Sequence, residues 1–429
     1  MQALLSFDQA PPFPAPLRFF LSAPLYGIAA GALLLTQGEA VLASRWLPGA
    51  LALTHLLTLG FLLQVMLGAL IQILPVVAGA NLRQPLWLAR LVHLGFNAGS
   101  LCLIYAFLRG DPAAYLPAGV LLGSALLLFL LATGLALKGV PDTSPSIRGL
   151  KLGLVALPMV AGLGLLILLV LSGAPALPLV PLVDLHAAWG LAAWAGGILA
   201  AVGYVVVPMF QLTPPYPPGF AWQFNRVLLG LLVLATLAFF FGIPGLPRLA
   251  EAGIALAGAG FIHLTLDLQR RSKRPVPDVS RRFWRSGLAA ALVACAMAFG
   301  AALLPPLATL SRWAPLFGVV LGVGGFMAIL SGMLYKIVPF LVWLHLQNLG
   351  RPAPNMNRIL GEPAQRRHYQ AHLFSLALLV PAALFPESLT RPAGLALMLS
   401  QGLLLLNLLQ ACKVYRQHGR PATPQTVAG

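Results

Sequence analysis

The chain has 429 residues, of which 59% are hydrophobic and 9% are charged. Ordinary soluble domains carry roughly 25% charged residues, and no water-soluble fold buries so much apolar surface, so the composition excludes a soluble globular protein. The formal net charge of +17 does not indicate nucleic-acid binding, because the Lys and Arg residues lie in short segments between apolar stretches.

Apolar stretches recur along the whole chain, and each is long enough to cross a hydrocarbon core of about 30 Å as a helix. They predict an all-α polytopic membrane protein with about twelve transmembrane helices in a single domain, 17–412, in contact with the lipid bilayer. A Pro-rich segment, 1–16, precedes this domain and a tail, 413–429, follows it. The predicted spans are 17–38, 48–78, 87–108, 114–138, 149–172, 179–210, 222–243, 248–268, 284–306, 313–345, 368–387 and 391–412.

Positive charge is divided unequally between the two ends of these spans. Of the 27 Lys and Arg residues, 21 fall on the side that carries both termini and Lys336 lies inside a span. The opposite side holds Arg45, Arg109, Arg248, Arg312 and Arg391. Cytoplasmic loops are enriched in cations, so both termini are predicted in the cytoplasm and the protein in a bacterial inner membrane. The most basic loop, 269–285, is predicted to touch anionic headgroups or to dock a soluble partner.

The second, sixth and tenth spans share a pattern. Each has a glycine-rich middle followed by a proline near its cytoplasmic end, at Pro75, Pro208 and Pro339. A chain built from three repeated four-helix units has equivalent helices four places apart. The pattern therefore predicts three pseudo-symmetric four-helix arcs. The alternative is that glycine and proline are simply frequent in membrane helices.

Two histidines are the main candidates for a functional site. His55 and His186 lie in the outer halves of the second and sixth spans, 20 and 22 residues before Pro75 and Pro208. Polar side chains inside a bilayer are costly, and neutral imidazole ligates metals and haem iron. Either histidine could instead be a hydrogen-bonded core residue, and His186 has Asp184 beside it.

The remaining polar candidates lie closer to the cytoplasmic side. His93 and His263 are predicted to make hydrogen bonds near the interface, and Lys336 either extends to the interface or binds an acidic group such as a haem propionate. A place in a proton path is a further alternative for Lys336. Four histidines at or beyond the boundary are predicted to be solvated: His345, His368, His372 and His418.

These segments carry a resemblance to a known superfamily. With THLLTLGFLLQVMLGALIQILPVVAG at 54–79, DLHAAWGLAAWAGGILAAVGYVVVPMFQ at 184–211 and GMLYKIVPF at 332–340, the sequence resembles haem–copper oxidase subunit I, including its nitric oxide reductase and NnrS-type relatives. The resemblance implies twelve helices in three arcs, a haem ligated by His55 and a copper ion bound by His186. It also implies possible partners among other membrane or cytochrome subunits.

The sequence departs from that superfamily at the catalytic centre. The superfamily has two copper histidines on the seventh helix, but the span 222–243 has no histidine. It has two haem-ligating histidines on the tenth helix, whereas the span 313–345 has only His345 at its inner end. The chain is therefore not expected to reduce oxygen.

Three functions follow from these observations. The preferred one is a haem- or metal-binding membrane protein in respiratory electron transfer or nitric-oxide-related metabolism. The second is a twelve-helix secondary transporter, since repeats and a basic cytoplasmic face also suit a permease. The third is an accessory subunit without a cofactor, which would be colourless when purified.

Overall fold

The computed structural model describes residues 6–173, 175–274 and 276–419, and every regular element in those ranges is helical. It contains twelve helices of 23 residues or more. They are α1 Pro14–Gln37, α2 Pro48–Ala78, α3 Pro85–Arg109, α4 Tyr115–Leu137, α5 Pro145–Leu171, α6 Leu179–Gln211, α7 Pro218–Phe240, α8 Leu246–Arg270, α9 Val279–Leu303, α10 Trp313–Asn348, α11 Glu362–Leu384 and α12 Pro386–Gly419. The predicted all-α polytopic membrane fold is confirmed.

Eleven of the twelve helices are long and apolar enough to cross a membrane. The exception is α11, whose first half, EPAQRRHYQ, is polar. This helix nevertheless packs along α12, and it buries His368 and His372 inside the protein. Some polar side chains of α11 are therefore buried in protein and not exposed to lipid, so a less apolar helix is tolerated at this position in the bundle.

Several helices begin before the predicted span does, because their first turns are polar and capped. The Ser144 hydroxyl accepts a hydrogen bond from the Ile147 N–H at 3.2 Å, so α5 starts at Pro145. The Asp278 carboxylate accepts from the Arg281 N–H at 2.9 Å, so α9 starts at Val279. Such caps satisfy the free N–H groups of a first turn that lies outside the hydrocarbon.

Contacts between helices repeat at intervals of four, as the predicted arcs require. Helix α1 packs against α2, α3 and α12; α5 packs against α6, α7 and α4; and α9 packs against α10, α11 and α8. The pairs α3–α4, α7–α8 and α11–α12 also correspond. The last helix of each arc packs against the first helix of the next arc, in the pairs α4–α5 and α8–α9. Helix α12 packs against α1 in the same way, which closes the three arcs into a ring.

The repeat extends to individual residues where the first helix of an arc crosses the second. A Cβ atom on Gly68, seven residues before Pro75, would lie 3.0 Å from the Cβ of Phe19. A Cβ atom on Gly332, seven residues before Pro339, would lie 2.7 Å from the Cβ of Phe283. Only a glycine on α2 and α10 allows this approach. The two phenylalanines stand in matching segments, RFFLS at 18–22 and RFWRS at 282–286.

The second arc makes the same crossing with the small residues exchanged. Here the glycine is on the first helix, and a Cβ atom on Gly149 would lie 2.7 Å from the Cβ of Ala201. Ala201 stands seven residues before Pro208, the position that Gly68 and Gly332 hold in the other arcs. The close approach is kept although the residues differ, which is stronger support for a repeat than glycine content alone.

Helices α2, α6 and α10 form the interior of the bundle. Their most apolar windows are 89%, 61% and 72% buried, against 22–56% for the other eight apolar helices. Each contains a π-helical segment that ends twelve residues before its proline. These segments are Leu56–Leu63, Trp189–Gly196 and Val319–Met327. Long π-helical segments are rare and often occur near functional sites.

A cavity of about 70 Å³ lies between the three inner helices near their prolines. Helices α2 and α6 line it with residues at the same five positions relative to Pro75 and Pro208. The N-terminal segment covers this cavity, since the Phe7 ring lies 5.2 Å from Phe340 and the Ser6 N–H donates to the Val76 carbonyl at 3.1 Å. The end of the bundle that carries this segment is called the basic end below. The first five residues of segment 1–16 and residues 420–429 of the tail lie outside the described ranges.

Candidate functional site

His55 lies on α2 directly before the π-helical segment, and it is partly buried. Its Nδ1 is 2.8 Å from the Leu51 carbonyl oxygen, and its ring centroid is 5.1 Å from that of Phe107 on α3. A carbonyl only accepts, so Nδ1 carries the proton and Nε2 keeps its lone pair. No described residue hydrogen-bonds to Nε2. This is the state in which metal-ligating histidines are held.

His186 on α6 likewise donates its Nδ1–H to a backbone carbonyl. Its Nδ1 lies 3.1 Å from the Val160 carbonyl oxygen on α5, and no described residue bonds to its Nε2. Gly164, one turn further along α5, makes room for the ring, because a Cβ atom there would lie 3.1 Å from the His186 Cε1. The imidazole therefore presents Nε2, and not Nδ1, to any ligand.

The structure brings the two histidines into one region. Leu57 and Leu191, a few residues beyond the two histidines on α2 and α6, line one small cavity, and the two rings contact α3 and α5. An ion pair between Arg45 and Asp184, 2.5 Å long and partly buried, joins the start of α6 to the segment before α2. Asp184 thus pairs with Arg45, and the structure shows no hydrogen bond from it to His186.

The donor set at this place is two neutral imidazoles. Within the described ranges, no three His, Cys, Asp or Glu side chains come together as a metal site. Two imidazole nitrogens suit copper, zinc, iron or nickel, with water or a small molecule completing the coordination. The chemistry of two neutral imidazoles fits such an ion, although the two rings make no direct contact with each other in the described ranges.

A haem at His55 would need far more space. The cavity that borders this part of α2, beside Thr58 and Leu191, holds about 20 Å³, whereas ligand pockets usually measure about 300–1,000 Å³. The His55 side chain has the free nitrogen that haem iron needs, but this small cavity could not hold the macrocycle and is not lined by His55. Haem ligation by His55 stays a prediction.

Lys336 lies on α10 toward the basic end. Its ammonium group pairs with the Asp278 carboxylate at 2.7 Å, and both side chains are about one-fifth exposed, at 19% and 20%. Asp278 also pairs with Arg274 at 3.0 Å and caps α9. The acidic partner that this structure gives Lys336 is therefore a residue of the chain itself, and its predicted contact with a cofactor remains a prediction.

Three other histidines differ in their surroundings. His93 Nε2 lies 2.7 Å from the Ser22 hydroxyl oxygen, which confirms its predicted hydrogen-bonding role. His263 is exposed on the outer face of α8. His345 is partly buried and lies 3.0 Å from the Pro11 carbonyl, so the prediction that it is solvated was wrong.

The prediction that His368 and His372 are solvated was also wrong, since both side chains are 0% exposed. Arg366 and Arg367 just before them are exposed, and their charges suggested a boundary outside the membrane. Residues one or two apart on a helix point in different directions, so exposed arginines do not expose their neighbours. The useful signal was the spacing of four between the histidines, which places both on one face.

Comparison with known proteins adds no functional assignment. The chain matches no protein-family model and no curated protein.

Proposed function

We propose that the chain is a divergent membrane protein of the haem–copper oxidase subunit I type that binds a redox-active metal ion through His55 and His186. The observation that carries the proposal is the shared hydrogen-bonding state of the two rings. Each donates Nδ1–H to a carbonyl at 2.8 or 3.1 Å and leaves Nε2 free, and the segments that carry them line one small cavity and are joined by the Arg45–Asp184 ion pair. Twelve helices in three arcs, with the inner helices at the second, sixth and tenth places, support the scaffold resemblance.

Copper is the metal that this donor set and the resemblance favour together. Imidazole suits copper in either oxidation state when few ligands are available. The role that follows is one-electron transfer within the membrane, or binding of a small molecule such as nitric oxide at an open coordination position. Reduction of oxygen would need further histidines that α7 and the outer part of α10 lack.

A transporter is less well supported by the same structure. Transporters bind substrate near the middle of the membrane at unwound helix segments with polar lining. The inner helices here stay helical through their π segments, and the central cavity is apolar apart from Gln72.

Substitution of the two histidines tests the proposed site. In detergent-purified protein loaded with copper, His55→Ala and His186→Ala should each lower the affinity by more than about 10-fold, because even outer-shell partners of a metal contribute roughly 10- to 100-fold. Metal content and the oxidised and reduced absorption spectra provide the measurement. His93→Ala is the matched control, since His93 is a membrane histidine already bonded to Ser22.

The same spectra separate copper from haem. A Soret band that is present in protein from haem-replete cells and absent from His55→Ala would show that His55 ligates haem. If wild-type protein shows no Soret band and retains no copper, neither cofactor is bound and the accessory function replaces the proposal.

The orientation in the membrane is a separate prediction. We propose that the basic end faces the cytoplasm, because cations are retained there. Truncated fusions after Lys273, between α8 and α9, should be active with a cytoplasmic reporter. Fusions after Gly110, between α3 and α4, should be active with a periplasmic reporter. The opposite reporter activities at both positions would show that the basic end faces the periplasm.

A further inference from the structure

Two fully buried histidines stand on one face of α11, away from the site described above. His368 and His372 are four residues apart, and both are 0% exposed. Their ring centroids are 6.3 Å apart. Both rings pack against Phe283 on α9, at 5.1 and 5.6 Å between centroids. They form a compact pair inside the third arc.

Three of the four ring nitrogens in this pair have no hydrogen-bond partner. Nδ1 of His368 lies 2.8 Å from the Tyr335 hydroxyl oxygen, but its Nε2 and both nitrogens of His372 are buried without a partner among the described residues. An unpartnered buried polar group destabilises a fold, because it has lost its hydrogen bonds to water and gained none in return. Helix packing alone therefore does not account for these two residues.

The first arc shows how a histidine in this setting is satisfied by protein. His93 on α3 packs against Phe19 at 5.1 Å, as the two histidines of α11 pack against Phe283. Its Nε2 is bonded to Ser22 at 2.7 Å. The matching residue of the RFWRS segment is Ser286, whose hydroxyl bonds only to carbonyls of its own helix at 3.1 Å. The third arc thus has the matching serine, but its hydroxyl makes no hydrogen bond to His368 or His372.

We propose that His368 and His372 bind one transition-metal ion, copper or zinc, at a second site independent of His55 and His186. Two histidines four residues apart on a helix are an established arrangement for zinc. With metal–nitrogen distances near 2.0–2.1 Å, two imidazoles place their ring centroids about 5 Å apart on a tetrahedral ion and about 6.5 Å apart on a linear one. The observed separation of 6.3 Å fits near-linear coordination of Cu⁺, and tetrahedral zinc needs the rings about 1 Å closer.

Tyr335 and Asn407 complete the site as orienting groups. The Asn407 side-chain N–H donates to the Tyr335 hydroxyl oxygen at 2.8 Å, which fixes the tyrosine on α10. The same oxygen lies 2.8 Å from His368 Nδ1 and can accept its proton, leaving Nε2 for the metal. Metal-ligating histidines are nearly always held in this way through their second nitrogen. Water or a small anion would fill the remaining coordination positions.

Metal binding by the full chain tests the proposal. Protein purified in detergent, stripped with a chelator and titrated separately with Zn²⁺ and Cu⁺ should bind one equivalent that His372→Gln or His368→Gln removes. Tyr335→Phe should weaken this equivalent by about 10- to 100-fold, because the loss of an orienting partner has that effect. His93→Gln is the matched control and should bind like wild type.

A variant lacking the first site keeps the two proposals distinguishable. The double variant His55→Ala, His186→Ala should still bind the second equivalent, and X-ray absorption on its bound metal should show scattering from two imidazoles. This measurement leaves α11 intact, so it does not depend on whether the His372 variant folds. The second site is overturned if the double variant binds no metal, or if folded His368→Gln and His372→Gln proteins retain every equivalent that wild type binds.

Discussion

Replacing Gly394 with valine should destabilise the folded protein by at least about 3 kcal/mol, since overpacking against fixed atoms commonly costs 1–3 kcal/mol and backbone atoms cannot rotate away. Gly394 on α12 faces Gly31 on α1. A Cβ atom on Gly394 would lie 2.6 Å from the Gly31 carbonyl oxygen and 2.7 Å from the Leu35 nitrogen. The added side chain would force α1 and α12 apart and open the ring of arcs.

The measurement is the thermal unfolding midpoint of protein in detergent, together with its elution profile. Gly402→Val is the matched control on the same helix, because no atom lies within 4 Å of a Cβ atom there. Equal midpoints for Gly394→Val and Gly402→Val would mean that the α1–α12 crossing is not close-packed.

Replacing Asp278 with alanine should cost about 2 to 4 kcal/mol, because its pair with Lys336 is partly buried. Such a pair lies between an exposed one, worth about 0–1 kcal/mol, and a fully buried one, whose disruption costs about 3–5 kcal/mol. The change leaves the Lys336 ammonium without its carboxylate at a position about one-fifth exposed. It also removes the cap of α9, a loss of about 1 kcal/mol within that total. Lys336→Met alone should cost much less, because Arg274 still pairs with Asp278.

The decisive comparison is the double variant Asp278→Ala, Lys336→Met. It should be clearly more stable than Asp278→Ala, since the unpaired charge is gone and only the cap is lost. Stability measured by chemical unfolding of the four proteins gives the coupling between the two residues. A double variant no more stable than Asp278→Ala would show that the unpaired lysine is not the cause of the loss.

Sequence reasoning found the fold because a bilayer constrains it strongly. Most spans need a long apolar helix, so eleven of the twelve helices follow from hydropathy, and Pro75, Pro208 and Pro339 pointed to the three inner ones. Helix starts were placed too late where a capped polar turn precedes the apolar run, as at Asp278. Hydropathy measures the hydrocarbon segment and not the whole helix.

The π-helical segments could not be predicted in the same way. Segments such as Leu56–Leu63 are apolar on all sides, so no polar and apolar faces reveal how many residues complete a turn. A π segment changes which way the residues before it point relative to those after it. The direction of His55, directly before such a segment, therefore depends on a feature without a sequence signature.

The candidate sites show what can and cannot be read from polar residues in apolar runs. His55 and His186 stood out as polar residues at nearly equivalent places in two apolar spans, but only the structure shows the ion pair and the small cavity that join their segments. His368 and His372 were missed because arginines precede them. Burial depends on the helix face and on the neighbouring helices, which here are α9, α10 and α12.

The contact between α1 and α12 has a consequence for synthesis. Residue 37 ends α1 and residue 386 begins α12, so about 350 residues separate the two partners. At 5–20 residues per second, α1 waits roughly 20 to 70 s in the membrane before α12 is made. During that time the groove around Gly31 is open to lipid or to α12 of a second chain. An exchanged dimer, if one forms, would form at this crossing.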